Sequence, residues 1–330
     1  MNFEKKRVLV TGAGGFIASH LAERLVQDGA QVRAFVRYNA RGDVGLLRFL
    51  SPNIYSKLDV IAGDLRDAEA VSAAAQGIDT IFHLGALIAI PYSYEHIREV
   101  VETNVMGTLN VLLAARDMHV RRVIQTSTSE VYGTAQYAPI DENHPLQAQS
   151  PYSASKIGAE KISESFYRSF NLPVVTLRPF NTFGPRQSAR AIIPTIITQA
   201  LTRDEIHLGS LDPKRDFTFV SDTVEGFLKV AMAGEHVLGE EINLGTGDTI
   251  SIGDLVATIL DLLNKRPKII TESQRLRPPT SEVLKLHSDN TKAREQMGWS
   301  PQVSLVEGLR QTIAWISDHL SIYNPDEYTK

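Results

Sequence analysis

The stretch Arg7-Val8-Leu9-Val10-Thr11-Gly12-Ala13-Gly14-Gly15-Phe16-Ile17-Ala18-Ser19-His20-Leu21 decides the fold. Four residues of β-forming character run into a glycine cluster, and an apolar-periodic helix from about Phe16 to Gln27 follows. Glycines at a strand-to-helix junction let the backbone turn sharply and approach a pyrophosphate. The helix N-terminus then offers free N–H groups and partial positive charge. Gly12, Gly14, Gly15, Phe16 and Ile17 are therefore the first candidate cofactor contacts, against the alternative of a purely structural turn. The spacing Gly12-x-x-Gly15-x-x-Ala18 differs from the commonest dinucleotide fingerprint.

Outward from this junction, short β-branched runs alternate with helical patterns. Strands are expected at Gln31 to Val36, Leu58 to Ala62, Asp79 to His83, Arg121 to Gln125 and Val174 to Leu177. Helices are expected at Ala68 to Ala75, Val100 to Asp117 and Tyr152 to Phe170. This βαβ rhythm predicts an α/β fold, a doubly wound parallel sheet of Rossmann type with a smaller C-terminal substrate lobe. After about Phe180 the rhythm breaks into Pro- and Arg-rich segments. Residues 1–180 and the discontinuous segment 217–250 are assigned to the dinucleotide-binding domain. Residues 181–216 and 251–330 are assigned to the lobe, with a packed helix at about Leu305 to Leu320.

Bulk properties narrow the function classes. The 330 residues carry 43% hydrophobic and 22% charged side chains and a net charge of −4, which gives no basic surface for nucleic acid or anionic membrane. There is no cysteine, so neither disulfides nor thiolate metal sites are available, and no metal is implied. No apolar run approaches the roughly 20 residues of a membrane helix. The start of the chain does not read as a signal peptide. A cytoplasmic enzyme is the expectation.

The second strand should end near Arg37, where an acid would hold a ribose 2′-hydroxyl and an arginine suits a 2′-phosphate. Phe35-Val36-Arg37-Tyr38 contains no acid, with Arg33 and Arg37 as the cations, which favours NADP over NAD. The alternative is a solvated surface arginine. Asp64, with Leu65 after it, ends the third strand where adenine would sit, or else caps a helix.

Tyr152-Ser153-Ala154-Ser155-Lys156 sets a phenol and an ammonium one helical turn apart on one face. A lysine beside a phenol lowers the phenol's pKa. Upstream, Thr126-Ser127-Thr128-Ser129-Glu130-Val131-Tyr132-Gly133-Thr134 offers a carboxylate for acid–base chemistry, or a loop carboxylate paired with a cation.

Together these residues resemble an extended short-chain dehydrogenase/reductase of the nucleotide-sugar-modifying group. The likeness runs through Thr11 to Ala18 (with Ala18 where glycine is usual), Gly63-Asp64-Leu65 and His83-Leu84-Gly85-Ala86. It continues through Thr103 to Thr108, Ser127 to Gly133, Tyr152 to Lys156 and Arg178-Pro179-Phe180-Asn181, with Gly85 replacing the usual alanine. Thr128-Ser129-Glu130 looks like the 4,6-dehydratase form of a triplet that UDP-glucuronate decarboxylases share, whereas 4-epimerases usually carry a small residue at Glu130. Arg277 to Val283 resembles the Arg-Pro-x-Glu-Val stretch of GDP-mannose 4,6-dehydratases with an insertion. Ala86 to Tyr94, Tyr132 to Tyr137, Gln149 to Tyr152 and Pro185 to Ala191 are similar to GDP-N-acetylglucosamine 4,6-dehydratases.

The resemblance implies a tightly held, recycled NADP (or NAD), touched by Leu84, Ala86, Asp64, Leu65, Tyr152 and Lys156. It implies catalysis by Thr128, Ser129, Glu130, Tyr152 and Lys156. A nucleotide-diphosphate sugar would contact Ser93, Asn181, Arg186, Arg215 and Arg277, with Arg178 also near the diphosphate. Asp222 reads as a helix cap more readily than a sugar ligand. A homodimer is implied through helices around 100–117 and 152–170, with Leu113, Phe166, Tyr167 and Phe170 at its centre. The rival readings are a UDP-glucuronate decarboxylase, which needs an arginine such as Arg186 or Arg277 at the carboxylate, a 4-epimerase, and a non-catalytic NADP-binding module.

Overall fold

A computed structural model describes residues 3–276 and 278–323. Seven parallel strands form the central sheet: β1 Arg7–Thr11, β2 Gln31–Arg37, β3 Leu58–Gly63, β4 Thr80–His83, β5 Arg122–Thr126, β6 Val174–Pro179 and β7 Glu241–Leu244. Their order is β7-β6-β5-β4-β1-β2-β3, so the chain reverses direction across the sheet between β1 and β4. There Thr11 lies opposite His83, and ligands bind beyond such carboxyl ends. β1 and β6 are buried nearly throughout, as strands covered on both faces must be.

Two hydrophobic clusters cover the faces. One joins α1 (Phe16–Gln27) to the sheet and continues into the lobe. The other packs Leu9, Ile81 and Val123 beneath α2 (Ala68–Ala75), α3 (Gly107–Asp117) and α4 (Pro151–Phe170). The helix expected over Val100 to Asp117 is broken. Ile97–Val101 is α-helical, Glu102–Met106 widens into a π-helical turn, and α3 resumes at Gly107. Apolar periodicity continues across the break, which is why the pattern hides it. α4 begins one residue earlier than expected because Ser150 and Ser153 form a capping box and Pro151 occupies the first turn.

Between β6 and β7 the chain builds much of the lobe around α5 (Ile192–Thr202), then returns through α6 (Val220–Met232), which packs on α1. Three two-stranded ribbons complete the lobe: 181–183 with 217–219, 205–208 with 268–271, and 214–215 with 250–251. Asp222 neither caps α6 nor faces the cleft. Its carboxylate accepts the amides of Gln302 and Val303, both at 3.0 Å, and so ties down the C-terminal segment before α7 (Leu305–Asp318). No helix among the described residues is long and apolar enough to cross a membrane.

Candidate active site

Gly12 adopts φ +67°, and a Cβ there would lie 2.6 Å from the Cα of Gly85. The two glycines let the first turn and the β4 loop touch backbone to backbone. Gly85 has its own reason to lack the usual methyl, since a Cβ would lie 2.7 Å from Leu65 Cδ1. Gly15 precedes α1 with no side-chain cap and no acid in the first turn, leaving the amides of Phe16 and Ile17 to an anion. Gly14 gives its carbonyl to the Leu46 amide at 2.9 Å, so the loop after β2 rests on it. Leu84 and Ala86 are half-buried beside this turn. Asn104, in the π turn, accepts the Leu87 amide at 2.8 Å and donates to the Leu87 carbonyl and to Ser155 Oγ, both at 2.9 Å. That bonding fastens the β4 loop to α4. This cradle fits a dinucleotide.

At the outer end, Arg37 is largely exposed and donates to Glu99 Oε1 at 3.2 Å, while Glu99 Oε2 accepts the Tyr92 hydroxyl at 2.5 Å. Asp64 holds Arg66 by both carboxylate oxygens, and that bonding keeps its pKa low. The helix cap here is Asp67, which accepts the Glu69 and Ala70 amides. Arg33 is removed from the site. It pairs with Asp59 at 2.8 Å and donates to the Ala74 and Gln76 carbonyls at the end of α2.

At the carboxyl end of β5, Thr128 starts a single 3₁₀ turn, Ser129–Tyr132, and its hydroxyl accepts the Glu130 amide at 3.2 Å. Ser129 is buried within that turn. Tyr152 is buried beside them. Burial pushes its phenol up, the Thr128 hydrogen bond pulls it down, and the charge of Glu130 pushes it up again. Lys156 Nζ donates to the Thr126 carbonyl at 2.6 Å, and burial lowers its pKa to about 8 against the opposing pull of Glu160. The expected lowering of the phenol by Lys156 is therefore not what the fold displays, because burial dominates Tyr152. Thr126 Oγ1, Ser127 Oγ and Asn181 Oδ1 are buried here without a protein partner.

A cleft of about 310 Å³ lies largely within the lobe, with Asn181, Arg215 and Glu282 in its wall, and none of Thr128, Glu130, Tyr152 and Lys156 lines it. Arg215 donates to Glu282 Oε1 at 3.2 Å. Pro91 lines the cleft, whereas Ser93 does not: it is fully buried, with its hydroxyl on the Ile90 carbonyl at 2.7 Å. Arg186 does not line the cleft either, and its Nε and Nη1 are buried without a protein partner. Held at φ +67°, it donates to Glu23 Oε2 of α1 at 2.6 Å, and His20 contacts the preceding Pro185 carbonyl at 2.9 Å. Arg178 is spent on Glu160, to which it gives two parallel bonds at 2.9 and 2.8 Å in the protein interior. Arg277 lies outside the described residues. Arg190, His207 and Arg275 line the cleft and were not singled out from the sequence. Arg190 lies in the Pro185 to Ala191 stretch but was given no role there, while His207 and Arg275 belong to segments without periodicity or motif, the nearest signal being the Arg-Pro run just after Arg275. No group of His, Cys, Asp and Glu among the described residues could hold a metal ion.

The proposed dimer residues separate. Phe166 belongs to the core, and Tyr167 fills the space above Gly239. Leu113 is half-buried. Phe170 is exposed, with Arg116 5.3 Å from its ring centre. Ile97, Val101 and Met106 are the exposed apolar side chains around the π turn.

Comparison with known proteins agrees with this architecture. The sequence model of the GDP-mannose 4,6-dehydratase family matches residues 9–312. The UDP-glucose 4-epimerase of Mycolicibacterium smegmatis is 33% identical over 322 residues, covering 93% of this chain and 97% of that protein. The dTDP-D-glucose 4,6-dehydratase of Mus musculus is 32% identical over 320 residues, covering 94% and 88%. DesIV, the dTDP-glucose 4,6-dehydratase of Streptomyces venezuelae solved with NAD and TYD bound, superposes with a TM-score of 0.86 at 29% identity, covering 97% of this chain and 100% of that one. The sheet order, the glycine cradle and the Thr128–Tyr152–Lys156 end of β5 thus sit in a chain that belongs to the GDP-mannose 4,6-dehydratase family, among the nucleotide-sugar dehydratases and epimerases of the extended short-chain dehydrogenase/reductases.

Proposed function

We propose that the chain is a nucleotide-sugar 4,6-dehydratase acting on a GDP-linked hexose, with GDP-N-acetylglucosamine the first candidate. The observation that carries the reading is Glu130, a carboxylate placed next to Thr128 and close enough to Tyr152 for its charge to act on the phenol. A 4-epimerase needs acid–base chemistry at the 4-hydroxyl alone. A dehydratase needs a second base for C5, and Glu130 supplies one. The epimerase relative at 33% identity makes 4-epimerisation the second reading. Decarboxylation is the third reading; it needs an arginine at the substrate carboxylate, and of the two candidates Arg186 already gives one nitrogen to Glu23.

The turn at Gly12 and the amides of Phe16 and Ile17 would hold a nicotinamide dinucleotide, which would supply reversible hydride transfer between C4 and C6 of the sugar. Thr128 holds the 4-hydroxyl, and Tyr152 removes its proton in the ionised form, which burial opposes and a cation beside it must sustain. Lys156, one turn along α4, is the buried cation that would offset the phenolate charge. Once C4 is a ketone, the C5 proton is acidic, and Glu130 takes it. Glu130 then hands that proton to the 6-oxygen, which leaves as water, with Ser129 supporting the turn. The proton taken from O4 returns to C5, which restores the phenolate and leaves a 4-keto-6-deoxy sugar. Such groups contribute ~10²–10⁴-fold each.

Arg37, at a strand end without an acid, supports NADP as the preferred form. Asn181, Arg215 and Arg277 are assigned to the nucleotide sugar, with 181–216 and 251–330 as its lobe. Exposed Ile97, Val101 and Met106 support a homodimer across the π turn.

The test is mass spectrometry of purified enzyme with GDP-mannose, GDP-N-acetylglucosamine, UDP-N-acetylglucosamine, dTDP-glucose and UDP-glucuronate, without added cofactor. Loss of one water from a GDP sugar is expected. Loss of carbon dioxide, or isomerisation without mass change, overturns the dehydratase reading.

A further inference from the structure

Gln149 is bonded through both ends of its side chain and through its main chain. Oε1 accepts the Thr134 amide at 2.6 Å and the Thr134 hydroxyl at 3.2 Å. Nε2 donates to the Thr280 carbonyl at 3.1 Å. The Gln149 carbonyl accepts the Ser281 hydroxyl at 2.5 Å. Because the Ser281 proton is committed there, the Tyr94 hydroxyl is the donor in its 2.6 Å contact with Ser281 Oγ.

Each partner belongs to a different working part. Thr134 follows the 3₁₀ turn that carries Glu130, and the Gly133 amide bonds the Glu130 carbonyl at 3.3 Å. Gly133 has φ +62°, and a Cβ there would lie 2.7 Å from Gln149 Oε1, so this glycine leaves room for the amide. On the other side, Ser150 caps α4, whose first turn holds Tyr152. Thr280 and Ser281 lead directly to Glu282, which meets Arg215 in the cleft wall. The Thr134 hydroxyl also reaches the Glu282 carbonyl at 3.4 Å.

We propose that Gln149 is a positioning residue that couples seating of the 278–282 segment on the bound nucleotide to the relative placement of Glu130 and Tyr152. This rests on Glu130 and Tyr152 being the acid–base pair. Only a primary amide of this length both accepts from Thr134 and donates to Thr280. Glutamate keeps the first function and loses the second, and leucine loses both. Misplacement of reacting groups by about 1 Å costs on the order of 10²-fold in rate, so the effect falls on kcat.

The experiment compares wild type, Gln149→Leu and Gln149→Glu as full chains. Four quantities are read: cofactor reduction in a single turnover by absorbance, water loss by mass spectrometry, GDP and UDP dissociation constants, and unfolding temperature. Gln149→Leu should lose about 10–100-fold in kcat, with dissociation constants moved less than about 3-fold and Gln149→Glu intermediate. Unchanged kcat in Gln149→Leu overturns the proposal. So does a loss matched by equal weakening of GDP and UDP binding, or by a fall in unfolding temperature that Gln149→Glu shares. If the wild type removes no water from any sugar, the dehydratase reading fails instead. The cofactor-reduction rate then decides on Gln149, since C4 oxidation precedes either outcome, and an unchanged rate in Gln149→Leu overturns its role.

Discussion

Lys156 Nζ donates to the Thr126 carbonyl at 2.6 Å, a bond that ties α4 to the last residue of β5. The ammonium is buried and its pKa is lowered to about 8 from 10.5. Between about pH 8 and 10.5 the unfolded chain binds a proton that the folded chain has released, so stability from this group rises with pH across that window. Lys156→Met should flatten that rise in urea denaturation followed from neutral to alkaline pH. The same variant should slow cofactor reduction by ~10²–10⁴-fold in single-turnover absorbance.

Glu130→Gln keeps the shape of the 3₁₀ turn and the amide contact to Thr128, but removes the proposed base. Cofactor reduction by substrate should persist while water loss falls by ~10²–10⁴-fold. Stopped-flow absorbance paired with mass spectrometry separates the steps. Normal water loss in this variant would take Glu130 out of the mechanism.

Arg178 and Glu160 are both almost wholly buried, and Arg178 also donates to the Tyr132 hydroxyl at 2.9 Å. Arg178→Met strands a buried carboxylate and should cost about 3–5 kcal/mol. Replacing both partners by methionine should recover much of that loss. Denaturant midpoints report the stability, and an unchanged KM for sugar nucleotide in the double variant would show that the pair holds the fold without touching substrate.

His83 accepts at Nδ1 from Thr11 at 2.7 Å and donates from Nε2 to Thr108 at 3.0 Å, since Gly85 donates to Thr11 and the Thr108 hydroxyl is committed to Asn104. The ring is held neutral by burial, which lowers its pKa to about 3. The unfolded chain therefore takes up a proton below about pH 6.5 that the folded chain refuses until about pH 3. Stability from this group is lost as pH falls through that window, at about 1.4 kcal/mol per pH unit. His83→Gln should reduce the difference in unfolding free energy between neutral pH and pH ~5, a difference that linkage makes roughly 2 kcal/mol for one proton.

Arg37→Ala should weaken NADP by about tenfold, the worth of one exposed charge-assisted contact, and leave NAD within about twofold. Fluorescence titration of the cofactor-stripped enzyme measures both. Equal loss for both forms would assign Arg37 to its Glu99 pair alone.

The sheet and the 3₁₀ turn beside Tyr152 were legible because their signals are local. β-branched runs, a glycine cluster and a tyrosine one turn before a lysine carry their meaning within a few neighbours. Arginine roles were not, because the deciding partner lies far along the chain. Arg178 finds Glu160, Arg186 finds Glu23 and Arg33 finds the end of α2, and nothing beside any of them announces it. The partner of Ser93 was hidden for a different reason: its hydroxyl donates to the Ile90 carbonyl within its own helix. The π turn at 102–106 was hidden beneath continuing apolar periodicity, although Asn104 within it braces the β4 loop.

β7 enters the sheet beside β6 only after the chain has built much of the lobe. A gene cut after the last phosphate-side motif, near residue 180, would leave β6 as a bare edge with unpaired amides and carbonyls, and would strip α6 from α1. The cofactor half is therefore not a transplantable cassette. Recombination that exchanges the proposed substrate lobe, 181–216 and 251–330, needs three crossovers, near residues 180, 216 and 250, so that α6 and the returning strand are kept.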